Sequence, residues 1–308
     1  MDNPTANLKP FEPRRVARGW RFAVRLASLL VLASSVAPAP MTLLAAEPAG
    51  DARSKGVLSV APNMVELVLK PGETYSGYVL ADNLGTVPLS VDAYLGDWTH
   101  TESALLFKNE TNTHPRSLGK WMRLSPHQLA IAPGGSERVY YTISVPPDLA
   151  LAGSYWGVLF VGQSPIPALP RASAREPDQQ FSLGLRILMR FAVVVYVTIA
   201  DTGIRKAGFV STQVRSAKGA LTVSATLAND GNTYLRPNTW LELRDQTGAT
   251  VYSLEHAPYT VLPGLKREVT FEVKNLNIPA GGYTALVIAD YDAPSLIAAQ
   301  AEIEVKGK

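Results

Sequence analysis

Four histidines are spread through the 308 residues, at His100, His114, His127 and His256, and none stands two or four positions from another. That spacing cannot place two imidazoles on one face of a strand or helix, which is how a chain commonly holds zinc. Cysteine is absent, so thiolate ligands, thiol nucleophiles and disulfides are excluded. There is no Gly-x-Ser-x-Gly elbow, no phosphate-binding glycine loop and no dinucleotide fingerprint. The densest polar clusters are Asp97-Trp98-Thr99-His100 and Asp290-Tyr291-Asp292. The first reads as a strand end whose polar groups are satisfied. The second has too few oxygen ligands for calcium. Asn109-Glu110-Thr111 is a glycosylation sequon by letter. No residue set supports an enzyme, and no cofactor is expected.

Chemistry being thin, the chain is read as a binding protein, and its charge narrows the partner. The formal net charge is +3 and the isoelectric point about 9.0. Six basic residues (Lys9, Arg14, Arg15, Arg18, Arg21, Arg25) and two acidic ones (Asp2, Glu12) fall in the first 46 positions. The remaining 262 residues hold 23 basic and 24 acidic side chains, a net charge of −1, too few cations to neutralise a run of phosphates. Nucleic acid is therefore not an expected partner.

Arg14 to Arg25 forms a basic stretch, and Leu26 to Val36 an apolar one; Leu44-Ala45-Ala46 then offers a cleavage site before Glu47. A single membrane anchor is the alternative, but Pro38, Pro40 and three serines between residues 26 and 46 make a poor spanning helix. The expected organisation is a signal peptide over 1–46 and a linker over 47–55. No later segment has the length to span a membrane, so the mature chain is expected in the periplasm or at the cell surface.

From Val57 onward, short β-branched and aromatic runs alternate with Pro, Gly and Asn, the texture of strands and turns. The order of these runs occurs twice. A strand closing on Asn83-Leu84-Gly85 matches one closing on Asn229-Asp230-Gly231. The turn Pro133-Gly134 matches Pro263-Gly264, and Gly153-Ser154-Tyr155 matches Gly281-Gly282-Tyr283. The interval from turn proline to tyrosine is 22 residues in the first half and 20 in the second. A repeat on this scale predicts an all-β chain of two tandem immunoglobulin-like β-sandwich domains, at 56–200 and 204–306.

Between the copies, Ser164 to Gln180 is rich in proline and reads as an exposed loop. After it, every second residue from Phe181 to Ile199 is apolar. Period 2 predicts one strand face; unbroken, the run would span about 60 Å, several times a usual strand. One sandwich core cannot cover that length. Residues 191–199, apolar on both faces, are expected in the core; 181–189 would cover a loop or the second domain, or form an edge that pairs with an incoming chain.

Leu58-Ser59-Val60, the Asn83-Leu84-Gly85 turn, Leu124-Ser125-Pro126, Leu129 to Pro133, and Val145-Pro146 leading to Tyr155-Trp156 resemble the PapD-like periplasmic pilus-assembly chaperones. The resemblance covers residues 57–199; the second half is similar to generic bacterial Ig-like modules. It implies that the strand after the proline loop donates alternating apolar residues to a pilus or other exported surface subunit, a role falling on Leu183, Leu185, Ile187 and Met189. The family also grips the subunit's terminal carboxylate with an Arg on the first strand and a Lys on the last. Here the first-strand position falls near Met64 or Val65, and Arg186 and Arg190 are the basic residues of the last strand. An usher-like outer-membrane partner is a further implication. Two other readings stand beside this one: a structural or adhesive surface module, and a carbohydrate-binding module using Trp98, Trp121 or Trp156.

Overall fold

The computed structural model describes residues 57–165, 188–217, 220–274 and 278–305. These are strands and connecting loops, with one short 3-10 turn at Leu118–Lys120 and no α-helix among the described residues. The chain is two β-sandwiches in tandem, as the repeat predicts.

In the first sandwich, one sheet runs β1 (Leu58–Ala61), β3 (Thr74–Asn83), β8 (Ser136–Ser144) and β6 (Met122–Ser125). The facing sheet runs β2 (Met64–Leu69), β10 (Arg190–Ile199), β9 (Ser154–Gln163), β4 (Leu89–His100) and β5 (Leu105–Lys108), with β7 (Gln128–Ile131) also on β4. The alternation seen in sequence decides which side chains enter the core. On β8, Val139, Tyr141 and Ile143 are buried, while Arg138 and Tyr140 face water. The second sandwich pairs β11 (Ala207–Ala217), β12 (Ala220–Asn229) and β15 (Lys266–Val273) against β14 (Thr250–Glu255), β13 (Asn238–Arg244), β16 (Gly281–Asp290) and β17 (Ile297–Val305). Its core gathers Val223, Leu241, Phe271 and Val287.

The repeat has a hydrogen-bonding cause. Asn83 is fully buried at the end of β3, and its Nδ2 donates to the carbonyls of Val87, Ile131 and Ala132 at 2.8–3.1 Å. Its Oδ1 accepts from Gly85 N, and its own carbonyl accepts from Gly134 N in the Pro133-Gly134 turn. Asn229 does the same at the end of β12. Its Nδ2 donates to Thr233 O and Val261 O, its Oδ1 accepts from Gly231 N, and its carbonyl accepts from Gly264 N. Each Asn-x-Gly turn is thus tied to its Pro-Gly turn by one buried amide, whose polar atoms would otherwise be costly to bury.

Two features of β10 and its neighbours shape everything that follows. First, the chain passes from one sheet to the other between β1 and β2: β1 pairs antiparallel with β3, and after Pro62-Asn63 β2 pairs parallel with β10. Second, β10 is buried on both faces. Val193, Val195, Val197 and Ile199 enter the first core, while Ala192, Val194 and Tyr196 join Trp98, Trp156, Val158 and Phe160 in a separate cluster closed by Leu262, Leu265 and Tyr234 of the second sandwich.

That cluster is the joint between the sandwiches. Tyr234 stacks on Tyr196 at 4.0 Å, and its hydroxyl donates to Glu66 Oε1 at 2.8 Å. Asn232 accepts from Ser154 N through its carbonyl and from Ile204 N through Oδ1, and donates through Nδ2 to Thr202 O. Gly153 (φ +72°) lies so close that a Cβ there would sit 2.2 Å from Asn232 O.

Asn83→Ala would leave three carbonyls without their shared donor. Urea unfolding should show a stability loss of about 3 kcal/mol, and Asn229→Ala, with two carbonyls affected, a smaller one.

Candidate functional site

The part of β10 that could meet a partner is its N-terminal half, because β2 covers only the other half. The parallel ladder between β10 and β2 starts at Val194, opposite Met64, and ends at Ile199, opposite Leu69. On the other side β9 pairs with β10 from Arg190 through Thr198. Backbone groups of successive strand residues point to opposite sides. Val194 N donates to Asn63 O on the β2 side, and Met189 O accepts from Gln163 N on the β9 side. By the same alternation, the N–H and C=O of Arg190 and Ala192 point to the β2 side, where β2 has already turned away into β1. They form an open edge.

The alternation from Phe181 predicts one strand reaching Ile199; within the described residues its ladder runs from Arg190 to Ile199. β9 ends at Gln163, whose side-chain Oε1 takes the Met189 N–H at 3.2 Å. Leu188 and Met189 are described, without strand pairing, and are 41% and 38% exposed. Leu183, Leu185, Arg186 and Ile187 lie outside the described residues.

Arg190 is held in place. Its chain crosses Gly162, where a Cβ would meet Arg190 Cγ at 3.1 Å, and its guanidinium lies 4.5 Å over the Phe160 ring. Nη1 donates to Tyr94 Oη and Asn109 Oδ1, both at 2.9 Å. Among the described residues Arg190 forms no ion pair, so its charge is oriented but unneutralised. On the neighbouring strand the ionisable group next to the joint is acidic: Glu66, opposite Tyr196, receives Tyr234 Oη and lies 3.5 Å from Arg236 Nη1. Met64 stands beside Val194, and Val65 is in the core.

The other sequence candidates resolve into structural roles. Asp97 is fully buried, its carboxylate accepting from Ser117 Oγ at 2.6 Å and Thr113 N at 2.7 Å, which fastens the 109–117 loop to β4. His114 stacks on Trp156 at 4.7 Å beside it, and burial pushes its pKa below the ordinary range. Asp292 pairs with Arg205 at 3.3 Å, and among the described residues no group of three metal-ligating side chains assembles. Trp98 and Trp156 are buried, which removes them as a sugar platform; Trp121 packs against Tyr155. Sequence reasoning did not find Tyr94, Phe160 or Gly162 as supports of Arg190. Asn109, read as a sequon, is one of its hydrogen-bond acceptors. None of these carries a local signal, since they come from two strands and a loop brought together by the sheet.

No protein-family model matches the chain, and no curated protein matches it. Solved structures similar to it include the YadV chaperone, at 14% identity and a TM-score of 0.42, over 80% of this chain and 99% of that one. The E. coli chaperone DraB is 14% identical with a TM-score of 0.40, over 82% and 97%. A chain of the CsuC–CsuE chaperone–tip subunit pre-assembly complex from the Csu pili of Acinetobacter baumannii is also 14% identical, with a TM-score of 0.41 over 80% and 97%. Among the described residues no helix is long and apolar enough to cross a membrane.

Gly162→Val should push the Arg190 side chain off the Phe160 ring. The side-chain proton resonances of Arg190, shifted upfield by the ring in the native chain, would move back toward random-coil values in NMR spectra.

Proposed function

We propose that the chain is an exported, chaperone-like protein of the periplasm that binds an extended segment of a pilus or other surface subunit by β-strand augmentation. The observation that carries this reading is the open edge of β10 at Arg190 and Ala192, left bare where β2 stops at Met64. An incoming strand completes the ladder there, its backbone supplying affinity. The alternating side chains Leu183, Leu185, Ile187 and Met189 extend the contact, with Arg186 and Arg190 as cationic anchors for acidic groups of the partner. The basic and apolar leader over residues 1–46 fits export. An usher-like outer-membrane protein would receive the loaded chain. Sheet edges bearing bare backbone groups invite aggregation unless something is meant to cover them, which favours a transient client over a permanently empty edge.

In the isolated protein the amides of Arg190 and Ala192 should exchange with solvent freely while those of Phe191 and Val193 are protected by β9; a bound subunit strand should protect all four. Strong protection of Arg190 and Ala192 in the free monomer would favour the alternative, a structural or adhesive surface module. Ala192→Pro removes one edge N–H without breaking the β9 ladder. It should reduce the recovery of a co-expressed subunit from the periplasm about fivefold, the worth of one hydrogen bond near 1 kcal/mol. Leu185→Glu with Ile187→Glu should reduce it further, with circular dichroism confirming that the variants fold. Unchanged recovery with both sets would rule the reading out.

A further inference from the structure

His100 sits at the end of β4, 5% exposed as a residue, and both its ring nitrogens are engaged. Nδ1 faces the carbonyl of Thr101 at 2.9 Å, a contact that requires a proton on Nδ1. Nε2 faces the backbone N–H of Leu262 at 3.0 Å, a contact that requires Nε2 to be bare. The two contacts together define one neutral tautomer. Leu262 belongs to the second sandwich and is fully buried against Trp98 and Tyr196, so this bond crosses the joint. Beside it, Glu268 N donates to Glu102 O at 2.8 Å, again from one sandwich to the other.

We infer that His100 is a pH-sensitive latch: the neutral ring fastens the second sandwich to the first through Leu262, and protonation of Nε2 sets N–H against N–H and loosens the joint. A buried amide would then lose its acceptor while a charge appeared in an apolar cluster, and both effects oppose docking.

The charged surroundings do not rescue the protonated ring. Arg267 on β15 adds a positive charge that opposes a second one on His100. The carboxylates of Glu102 and Glu268, on the two segments joined next to it, are exposed to solvent. On β5, Leu105 stands opposite His100, and the only charge, Lys108, lies opposite Asp97. Tyr259, on the loop that carries Leu262, is pushed up to about 12 by burial and stays neutral throughout. Burial is also the main force on His100 and holds its pKa below the ordinary imidazole value, with Arg267 acting the same way and the Thr101 carbonyl opposing.

The sign follows from which state binds the proton. The docked state holds His100 neutral at a depressed pKa, and undocking, by removing burial against the second sandwich, lets that pKa rise toward the ordinary imidazole value of about 6.5. The latch is therefore complete above that value and weakens as pH falls, reaching its full loss below the depressed pKa. Between the two, the docking equilibrium falls with pH, by at most about tenfold per unit. This holds whether or not the β10 edge takes an incoming strand.

Amide hydrogen exchange of the whole chain, corrected for intrinsic rates, reads the effect at two points across the joint: Leu262 N–H, bonded to His100, and Ser154 N–H, bonded to Asn232 O. Protection at both should fall together as pH is lowered below the ordinary imidazole range, by at most about tenfold per unit. In His100→Gln, whose side-chain carbonyl still accepts from Leu262 but cannot titrate, both should stay level with pH. Protection at Leu262 that does not change with pH in the native chain would overturn the inference. So would a fall confined to Leu262 with Ser154 unmoved, or an equal fall in the glutamine variant. The native titration decides the matter even if the variant folds poorly.

Discussion

The structure depends on the burial of β10 from both sides. Most strands of a sandwich have one wet face, and their sequence alternates accordingly. From Val193 to Ile199 this strand is largely enclosed: Val193, Val195, Tyr196, Val197 and Ile199 are buried, and Val194 and Thr198 half-buried. Val193, Val195, Val197 and Ile199 fill the first core, and Val194 and Tyr196 lie beneath Leu262 and Tyr234 of the second sandwich. Each fully buried side chain of this size contributes about 2 kcal/mol of apolar transfer. The same strand therefore stabilises a core and fixes a neighbour, and removing it would undo both.

The open edge follows from this arrangement. Because the outer face of β10 is occupied by the second sandwich only near Tyr196, the strand's earlier residues project beyond the joint. Because the chain builds β1 in the opposite sheet and joins β10 only from Met64 of β2, no part of that first segment pairs with them. The result is a strand with a rigid, doubly buried end and an end whose backbone is half satisfied. Anchoring and availability lie within ten residues of one strand. Arg190 adds direction: pinned by Tyr94, Asn109 and Phe160, it offers a charge already oriented.

Much of the fold was legible in the sequence, because the Asn-x-Gly and Pro-Gly turns recur in order and each has a local cause. The unbroken apolarity of 191–199 correctly announced two buried faces, although it did not say that a second domain covers one of them. Period 2 reports which side chains share a face, and residues 181–187 of the alternating run lie outside the described residues. The supports of Arg190 were not legible, since Tyr94 and Phe160 are brought side by side by sheet register and Asn109 comes from a separate loop. Trp98 and Trp156 misled for a related reason. A tryptophan in a strand looks the same in sequence whether its outward face meets water or another domain.

Gly153 gives the joint a mark that can be read without coordinates. Its φ of +72° is left-handed, and the carbonyl of Asn232 occupies the place its side chain would take. Every other amino acid carries a carbon there, and would either wedge the sandwiches apart or unseat Asn232. In any related chain, a glycine two residues before the tyrosine of this strand, together with an asparagine three residues after the Asn of the second Asn-x-Gly turn, would signal that the two sandwiches are docked in the same way. A bulkier residue at that glycine would signal tandem domains that have lost this joint, and with it the constraint that positions the edge.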